Sequence, residues 1–141
     1  MKIMTRTIDG REEIFDEFRG RYVELTPEER VRQWFAHFLV EDCAYPRGRI
    51  GIEISIVIQR KTYRSDLVVF DKNRRPWMLV ECKSPEIALT EKVFEQVTLY
   101  NYTLKADFIV LTNGNSTIIM KLDYAAGKIE FQSELPPYPK D

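Results

Sequence analysis

Hydrophobic residues recur along the chain with two periods, one typical of helices and one typical of strands. Thr26 is a capping hydroxyl, Pro27 stands at the first helical position and acidic residues follow, so a helix is predicted from Pro27 to about Glu41–Cys43. Its predicted buried face consists of the apolar residues at helical spacing, Val31, Trp34, Phe35, Phe38 and Leu39. A second helix is predicted from about Thr90 to Leu104.

The period of two predicts the strands. Residues 50–58 alternate strictly between apolar and small or polar side chains, which is typical of a half-buried strand. The other predicted strands are Asp66–Phe70, Trp77–Lys83, Phe108–Thr112, Thr117–Met120 and Ile129–Phe131. Residues 71–76 are turn formers, so the strands on either side of them are expected to form a hairpin.

The order of these elements predicts the fold class. It is a helix, three strands, a helix, a strand and a small antiparallel addition at the C-terminal end. A strand-helix-strand crossover that follows a meander predicts a mixed central sheet flanked by helices. We therefore expect an α/β (α+β) fold.

Segments outside this core are expected to be short. Residues 1–25 carry apolar side chains at helical spacing, namely Ile14, Phe15, Phe18 and Tyr22. This spacing predicts a short leading helix or an arm packed on the domain. The domain itself is predicted to span residues 26–135, and residues 136–141 form a tail whose prolines cannot continue a sheet interior.

Composition restricts the class of protein. The chain has 141 residues, of which 44% are hydrophobic and 12% aromatic, enough for one globular domain with a real core. Its formal net charge of -1 argues against strong non-specific DNA binding by a monomer. No apolar run approaches the ~18–20 residues of a membrane span, and no apolar stretch follows the basic residues at the start. We expect a cytoplasmic protein with no membrane partner.

The scarcity of histidine and cysteine excludes several chemistries. His37 is the single histidine, and Cys43 and Cys82 form no CxxC motif, so a zinc cluster lacks ligands. A Ser-His-Asp or Cys-His arrangement would have to use His37, which lies in an apolar helical stretch. Neither GxxxxGK[ST] nor GxGxxG occurs, and no ATP is expected. Catalysis would therefore have to use carboxylates and lysine.

The predicted hairpin contains such a set of residues. A turn centred between Asn73 and Arg74 would place Asp66 directly opposite Glu81. Opposed side chains have Cβ atoms only ~4.5–5.5 Å apart, and two like charges at that separation destabilise a sheet unless something neutralises them. The period of two also puts Glu81 and Lys83 on one face of their strand, with Cys82 on the other.

Phosphodiester hydrolysis needs a constellation of this kind. Two carboxylates hold a hard ion such as Mg²⁺, which lowers the pKa of a bound water and screens charge on a phosphate. Lys83 would help to orient and deprotonate that water. The alternative is a solvated Glu-Lys salt bridge at a strand end, which many sheets carry.

Five segments between about Thr26 and Asn115 carry a family resemblance: Thr26–Gln33, Tyr45–Pro46, Arg64–Asp71, Leu79–Pro85 and Leu111–Gly114. Together they resemble the N-terminal nuclease domain of type I restriction enzyme R subunits, which belongs to the PD-(D/E)xK, or restriction-endonuclease-like, superfamily. Ser65 stands where the motif has proline, and we expect a nuclease domain without the helicase motor of the R subunits.

The resemblance implies an αβββαβ core and Mg²⁺-dependent (or Mn²⁺-dependent) DNA cleavage. Asp66 and Glu81 would be metal ligands together with the backbone carbonyl of Cys82, and Lys83 would be the catalytic lysine. Gln96 and Tyr100 match the QxxxY motif on the following helix and share a helix face. The other reading of Tyr100 is a core aromatic residue.

Three further carboxylates have less certain roles. A carboxylate of the first helix completes the metal site in some members of the superfamily, and Glu29 and Glu28 are the candidates. Both also suit the first turn of a helix through its dipole. Glu53, on the polar face of the first strand of the core, is expected to be solvated.

Basic residues are concentrated near the predicted hairpin. Eight basic and three acidic residues lie between Arg47 and Arg75. The candidate DNA-contacting residues are Arg47, Arg49, Arg60, Lys61, Arg64, Arg74 and Arg75. The alternative is a solvated hairpin rim.

Two functional hypotheses follow. The first is a metal-dependent endonuclease that engages DNA as a homodimer or with a restriction-system partner subunit. The second is an accessory module that keeps the site but binds nucleic acid or a partner without cutting. A purely structural α/β domain would require the site to be a coincidence.

Overall fold

The computed structural model describes residues 3–140 and, for Tyr100, the backbone alone. Within these residues the elements are β1 (Thr5–Ile8), β2 (Arg11–Asp16), β3 (Arg21–Glu24), α1 (Pro27–Glu41), a 3-10 turn (Arg47–Arg49), β4 (Ile50–Ile58), β5 (Lys61–Phe70), β6 (Pro76–Cys82), α2 (Glu91–Leu104), β7 (Phe108–Thr112), β8 (Thr117–Asp123) and β9 (Lys128–Gln132). No helix in this part of the chain is long and apolar enough to cross a membrane.

The main sheet has six strands in the order β4-β5-β6-β7-β8-β9. Strands β6 and β7 are parallel and are connected through α2, whereas every other neighbouring pair is antiparallel. A parallel pair needs such a crossover because a tight turn can join only antiparallel strands. The predicted mixed sheet and the predicted order α1-β4-β5-β6-α2-β7 are confirmed.

Helix α1 begins where the sequence predicts. Thr26 Oγ1 accepts a hydrogen bond from the backbone N–H of Glu29 at 3.0 Å, which satisfies one of the free N–H groups of the first turn. The predicted buried face is wrong at one position, since Trp34 is 36% exposed. The helix buries Arg32 and Gln33 in addition to its apolar residues. Arg32 meets two carboxylates of the adjoining sheet, those of Glu53 and Asp66.

The core lies on both faces of the main sheet. On one face, Phe35 and Leu39 of α1 pack against the sheet, and on the other face Val97 of α2 does so. Strand β6 is buried along nearly its whole length, as expected for a strand with a parallel neighbour that is covered on both faces. The site residues on β6 are therefore carried by a rigid part of the domain.

The N-terminal segment forms strands, so of the two alternatives predicted for residues 1–25, a short helix or an arm packed on the domain, the helix is wrong. Strands β1, β2 and β3 make a three-stranded antiparallel sheet. Phe15 and Tyr22 face each other across β2 and β3 with ring centroids 5.2 Å apart, and Ile14 is 1% exposed. The helical spacing of these residues reflects pairing across a turn instead of one face of a helix.

The predicted register of the hairpin is confirmed. Strands β5 and β6 pair Leu67 with Val80, Val68 with Leu79 and Val69 with Met78. Continuing this register by one residue places Asp66 opposite Glu81. The β5–β6 pairing is irregular only between Val69 and Phe70, on the side of the turn.

Candidate active site

Four polar side chains from three elements converge at the end of β6. Asp66 comes from β5, Glu81 from β6, Lys83 from the residues just after β6, and Glu28 from the first turn of α1. Asp66 and Glu28 both affect the protonation of Glu81 through their charges, and Lys83 affects it through its charge and a hydrogen bond. The predicted convergence of Asp66, Glu81 and Lys83 is present.

Asp66 is held firmly by protein donors. It is 7% exposed, and its Oδ2 accepts a hydrogen bond from the backbone N–H of Cys82 at 2.7 Å. Its Oδ1 accepts a hydrogen bond from Arg32 Nη2 at 2.9 Å. Both oxygens of this carboxylate therefore have a donor.

Glu81 has one oxygen without a donor. Its Oε1 lies 3.3 Å from Lys83 Nζ, whereas its buried Oε2 has no hydrogen-bond partner among the described residues. Glu81 as a whole is 5% exposed. Burial first, and then the nearby charge of Asp66, raise the pKa of Glu81 to about 8, although Lys83 acts in the opposite direction.

Glu28 and Glu29 lie in different surroundings. Burial and then the charge of Asp66 raise the pKa of Glu28, so Glu28 approaches the carboxylates of β5 and β6. Glu29 instead pairs with Arg32 and with Arg19, the latter at 2.6 Å. Of the two helix carboxylates, Glu28 has the better position to complete a cation site, and the role of Glu29 as a ligand stays a prediction.

Arg32 is a central residue of this region to which sequence analysis gave no role. Its guanidinium contacts carboxylates from three elements: Glu28, Glu29, Glu53 and Asp66. A helical period identifies the face on which Arg32 lies, but Glu53 and Asp66 come from strands that are remote in sequence. Its position three residues after Glu29 and four after Glu28 was the local indication of an ion pair.

Glu53 is only partly solvated, since its side chain is 31% exposed and is also held by ion pairs. Glu53 has a left-handed φ of 50° and lies on β4 between the pairs Ile52–Leu67 and Ile54–Ser65, which places it beside Asp66. Its carboxylate pairs with three arginines, Arg19, Arg32 and Arg64. Three carboxylates thus lie side by side across neighbouring strands, and the arginines offset part of their charge.

The two motif residues on α2 have different outcomes. Gln96 Oε1 accepts a hydrogen bond from Lys83 Nζ at 3.4 Å, so this residue reaches the site. The side chain of Tyr100 lies outside the described residues, and its role stays a prediction.

The basic residues proposed to contact DNA are divided between two ends of β5. Arg74 and Arg75 lie at the turn before β6, and Arg49 joins them by donating to the Asp71 carbonyl at 2.8 Å. Arg60 and Lys61 lie at the opposite turn, between β4 and β5. Asp66 lies between the two groups along β5, a strand in which each residue spans ~3.3 Å.

Of the other two candidates, Arg64 is nearer to the site than Arg47. Arg64 lies two residues from Asp66 on the same face of β5 and pairs with Glu53 at 3.5 Å. Arg47 pairs with Glu17 at 3.0 Å, near the N-terminal sheet. The seven residues do not form one continuous surface, and DNA contact by each of them stays a prediction.

The donor set fits a hard divalent cation. An unpaired carboxylate oxygen of Glu81, the carboxylate of Asp66 and the adjacent carbonyl of Cys82 are all oxygen donors, which Mg²⁺ prefers. Among the described residues, no group of three His, Cys, Asp or Glu side chains stands ready to hold a metal.

Comparison with solved structures shows the fold. The chain is similar, with a TM-score of 0.55 and 19% identity over 80% of its length, to a fragment from Vibrio vulnificus described as an HsdR subunit of a type I restriction enzyme. It covers 24% of that chain, so it spans about a quarter of the relative. A DUF820 protein from Anabaena variabilis, described as a nuclease, has a TM-score of 0.51 and 12% identity, with 95% of this chain and 84% of that chain covered. The fold is restriction-endonuclease-like.

Comparison of sequences shows the family. A search of curated proteins finds no match. The family model described as the type I restriction enzyme R protein N terminus (HSDR_N) matches residues 27–136, which include α1, the main sheet and every residue of the site. The chain belongs to the family of type I restriction enzyme R protein N-terminal domains.

Proposed function

We propose that this domain is a metal-dependent endonuclease that hydrolyses DNA phosphodiester bonds, with Mg²⁺ or Mn²⁺ as its cofactor. The single observation that carries the proposal is the unpaired, buried Oε2 of Glu81 beside Asp66 and Lys83. A buried carboxylate oxygen without a donor is costly unless a cation or a proton joins it.

Asp66, Glu81 and the Cys82 carbonyl would hold the ion, and Glu28 would complete its surroundings. When bound, a divalent ion supplies a water of lowered pKa and offsets negative charge on a phosphate. The donor set supports this because all of its atoms are oxygens.

Lys83 would act directly on the reacting groups. Its ammonium lies between Glu81 Oε1 at 3.3 Å and Gln96 Oε1 at 3.4 Å, two acceptors that fix its direction. From that position it would orient a water molecule and stabilise charge that develops on the phosphate. Gln96 is then a positioning residue for Lys83.

Restriction of foreign DNA is the proposed context, because the family consists of N-terminal parts of restriction subunits. The related HsdR fragment is about four times as long as the matched part, so the activity of a whole subunit comes to this chain only as a proposal. DNA would be engaged by a homodimer or with a partner subunit of the restriction system.

One observation favours the second candidate, an accessory module that binds DNA or a partner without cutting. Both oxygens of Asp66 already have protein donors, Arg32 and the Cys82 N–H. If this arrangement persists with metal present, Asp66 contributes no free oxygen to an ion.

Cleavage of supercoiled plasmid and of single-stranded DNA, with Mg²⁺, Mn²⁺ or EDTA, tests the proposal. Wild type is expected to nick DNA only with metal, and Lys83→Ala is expected to lose about a hundredfold or more of this activity. Lys128→Ala, which removes an exposed lysine on β9, is the matched control and should cut like wild type. Equal activity in wild type and Lys83→Ala, or none in either, would favour the accessory module.

A further inference from the structure

Arg32 makes an unusual number of charged contacts for one buried side chain. Its side chain is 9% exposed. Nη2 donates to Asp66 Oδ1 at 2.9 Å and lies 3.5 Å from Glu28 Oε1. Nη1 lies 3.1 Å from Glu53 Oε1 and also contacts Glu29.

Negative charge exceeds positive charge around this guanidinium. Glu81 is not counted here, because its raised pKa keeps it protonated near neutral pH. The remaining carboxylates are those of Asp16, Glu28, Glu29, Glu53 and Asp66. The described cations near them are Arg19, Arg32 and Lys83, with the exposed Arg64 at the edge. A cluster with this imbalance attracts a further cation.

Arg32 lies on the oxygen that a metal ion would use. Asp66 Oδ2 is bound by the Cys82 backbone N–H, which is fixed by the sheet. Oδ1 is therefore the oxygen of Asp66 that can be offered to an ion, and Arg32 Nη2 occupies it. A guanidinium and a divalent ion cannot both sit there without strong repulsion.

We propose that Arg32 acts as an internal cation that holds Asp66 while no metal is bound and leaves Asp66 when a divalent ion binds. This inference rests on the proposed metal-dependent function. Arg32 is in this view a positioning residue, because it acts through Asp66 and does not touch the reacting atoms.

The release of Arg32 does not require it to enter solvent. Glu29 and Glu53 stay within reach of Nη1 after Nη2 leaves Asp66. Glu53 and Glu29 are also bound by Arg19, which pairs with Asp16 at the end of β2. A shift of Arg32 toward these carboxylates would therefore change the ion pairs of Arg19, which joins them to the N-terminal sheet. Metal binding at the site would in this way be linked to residues 5–24.

Binding of Mn²⁺, measured by the electron paramagnetic resonance signal of the free ion, tests this exchange without any need for DNA cleavage. Arg32→Met removes the competing charge and keeps an unbranched side chain, so it is expected to bind Mn²⁺ about fivefold or more tightly than wild type. Arg32→Lys keeps the charge and is expected to stay near the wild-type affinity.

Arg19→Met is the matched control. It removes one positive charge from the same cluster but has no contact with Asp66 among those the structure describes. It therefore measures the general effect of charge, and its gain in affinity should be clearly smaller than that of Arg32→Met. Equal gains in the two variants would overturn the specific exchange at Asp66.

Wild-type protein provides a second readout in case Arg32→Met does not fold. The Nε–Hε signal of Arg32 in ¹⁵N NMR is expected to shift with Mg²⁺ concentration and to saturate with binding, whereas that of Arg6, which pairs with Glu13 in the N-terminal sheet, should not. A bound ion with no change at Arg32 would overturn the inference.

The possible failures are distinguishable. If wild type and Arg32→Met bind Mn²⁺ with equal affinity, or the variant binds it more weakly, the exchange is wrong but the proposed function stands. If neither protein binds Mn²⁺ or Mg²⁺, both the proposed function and the exchange are wrong.

Discussion

The stability of the domain is expected to depend on pH through the ionisation of Glu81. The substitution Glu81→Gln keeps the shape of the side chain and removes its ionisation. In metal-free buffer, we expect Glu81→Gln to be more stable than wild type, by a margin that grows as pH rises from 5 to 8. The cause is the cost of ionising a buried carboxyl that lacks a donor on Oε2.

The pKa values set the direction and size of this effect. The pKa of Glu81 is 4.5 without the fold and about 8 within it. Well below pH 4.5 Glu81 is protonated in both the folded and the unfolded chain, so its ionisation does not change the free energy of unfolding. Between these two pKa values the folded chain holds a proton that the unfolded chain has released, and wild type loses stability as pH rises.

The size of the effect follows from the free energy of proton binding. One unit of pKa corresponds to ~1.4 kcal/mol, so wild type should lose about 2–3 kcal/mol relative to Glu81→Gln between about pH 5 and pH 7. Above about pH 8 the difference between the two proteins should become constant, because Glu81 is then ionised in both states.

Urea unfolding at pH 5, 6, 7 and 8 in EDTA measures this difference. The matched control is Glu86→Gln, which removes an exposed glutamate three residues after Lys83 and should follow the wild-type curve. Addition of Mn²⁺ at pH 8 should raise the free energy of unfolding of wild type more than that of Glu81→Gln. Parallel pH curves for wild type and Glu81→Gln in EDTA would refute the reasoning.

Two further substitutions test how the site is supported. Thr26→Ala removes the cap of α1 and should lower the free energy of unfolding by about 1 kcal/mol, whereas Thr26→Ser should not. Urea unfolding of both variants measures this difference. An equal loss of stability in the two would exclude the cap as the cause. Asn113→Ala removes the bond to the Ile87 carbonyl, at 2.8 Å, and the acceptor for the Asn115 and Ser116 N–H groups. It should cost about 1–3 kcal/mol and speed proteolysis within residues 84–90; an unchanged cleavage rate would contradict the anchoring of this loop.

Much of the fold was predictable because its signals are local. The alternation in β4, the proline-started α1 and the turn formers between β5 and β6 each act over a few residues. The hairpin register, and with it the meeting of Asp66 and Glu81, followed from the position of the turn. The same locality explains why Lys83 was found beside Glu81, since the two are only two residues apart along the chain.

The N-terminal sheet shows where such reasoning fails. The helix was predicted there from four apolar residues at helical spacing. The structure instead has a turn at Asp9 and Gly10, whose φ values are 51° and 77°. An Asp-Gly pair between two short segments is a strong hairpin indication, and it would have predicted β1 and β2.

The arginine contacts were beyond the sequence for a different reason. Arg32 meets Asp66 across 34 residues of chain, and Glu53 across 21. Neither period nor spacing reports contacts at such separations, since they depend on how α1 docks on the sheet. The buried positions of Arg32 and Gln33 on α1 are visible only in the assembled domain.

The sequence separations of the charged contacts also have a consequence for how the domain folds. Asp66 meets the end of β6 within a hairpin, 16 residues away at Cys82, but its cation Arg32 is 34 residues away on a helix. Local contacts form at a lower loop-closure cost than distant ones, so we expect the hairpin to bring the two carboxylates together, with Lys83 beside Glu81, before Arg32 reaches Asp66. This makes the hairpin a point of electrostatic frustration during folding. We expect Glu81→Gln to refold faster than wild type in EDTA at pH 8, as followed by stopped-flow tryptophan fluorescence; an unchanged refolding rate would mean that α1 docks before the hairpin closes.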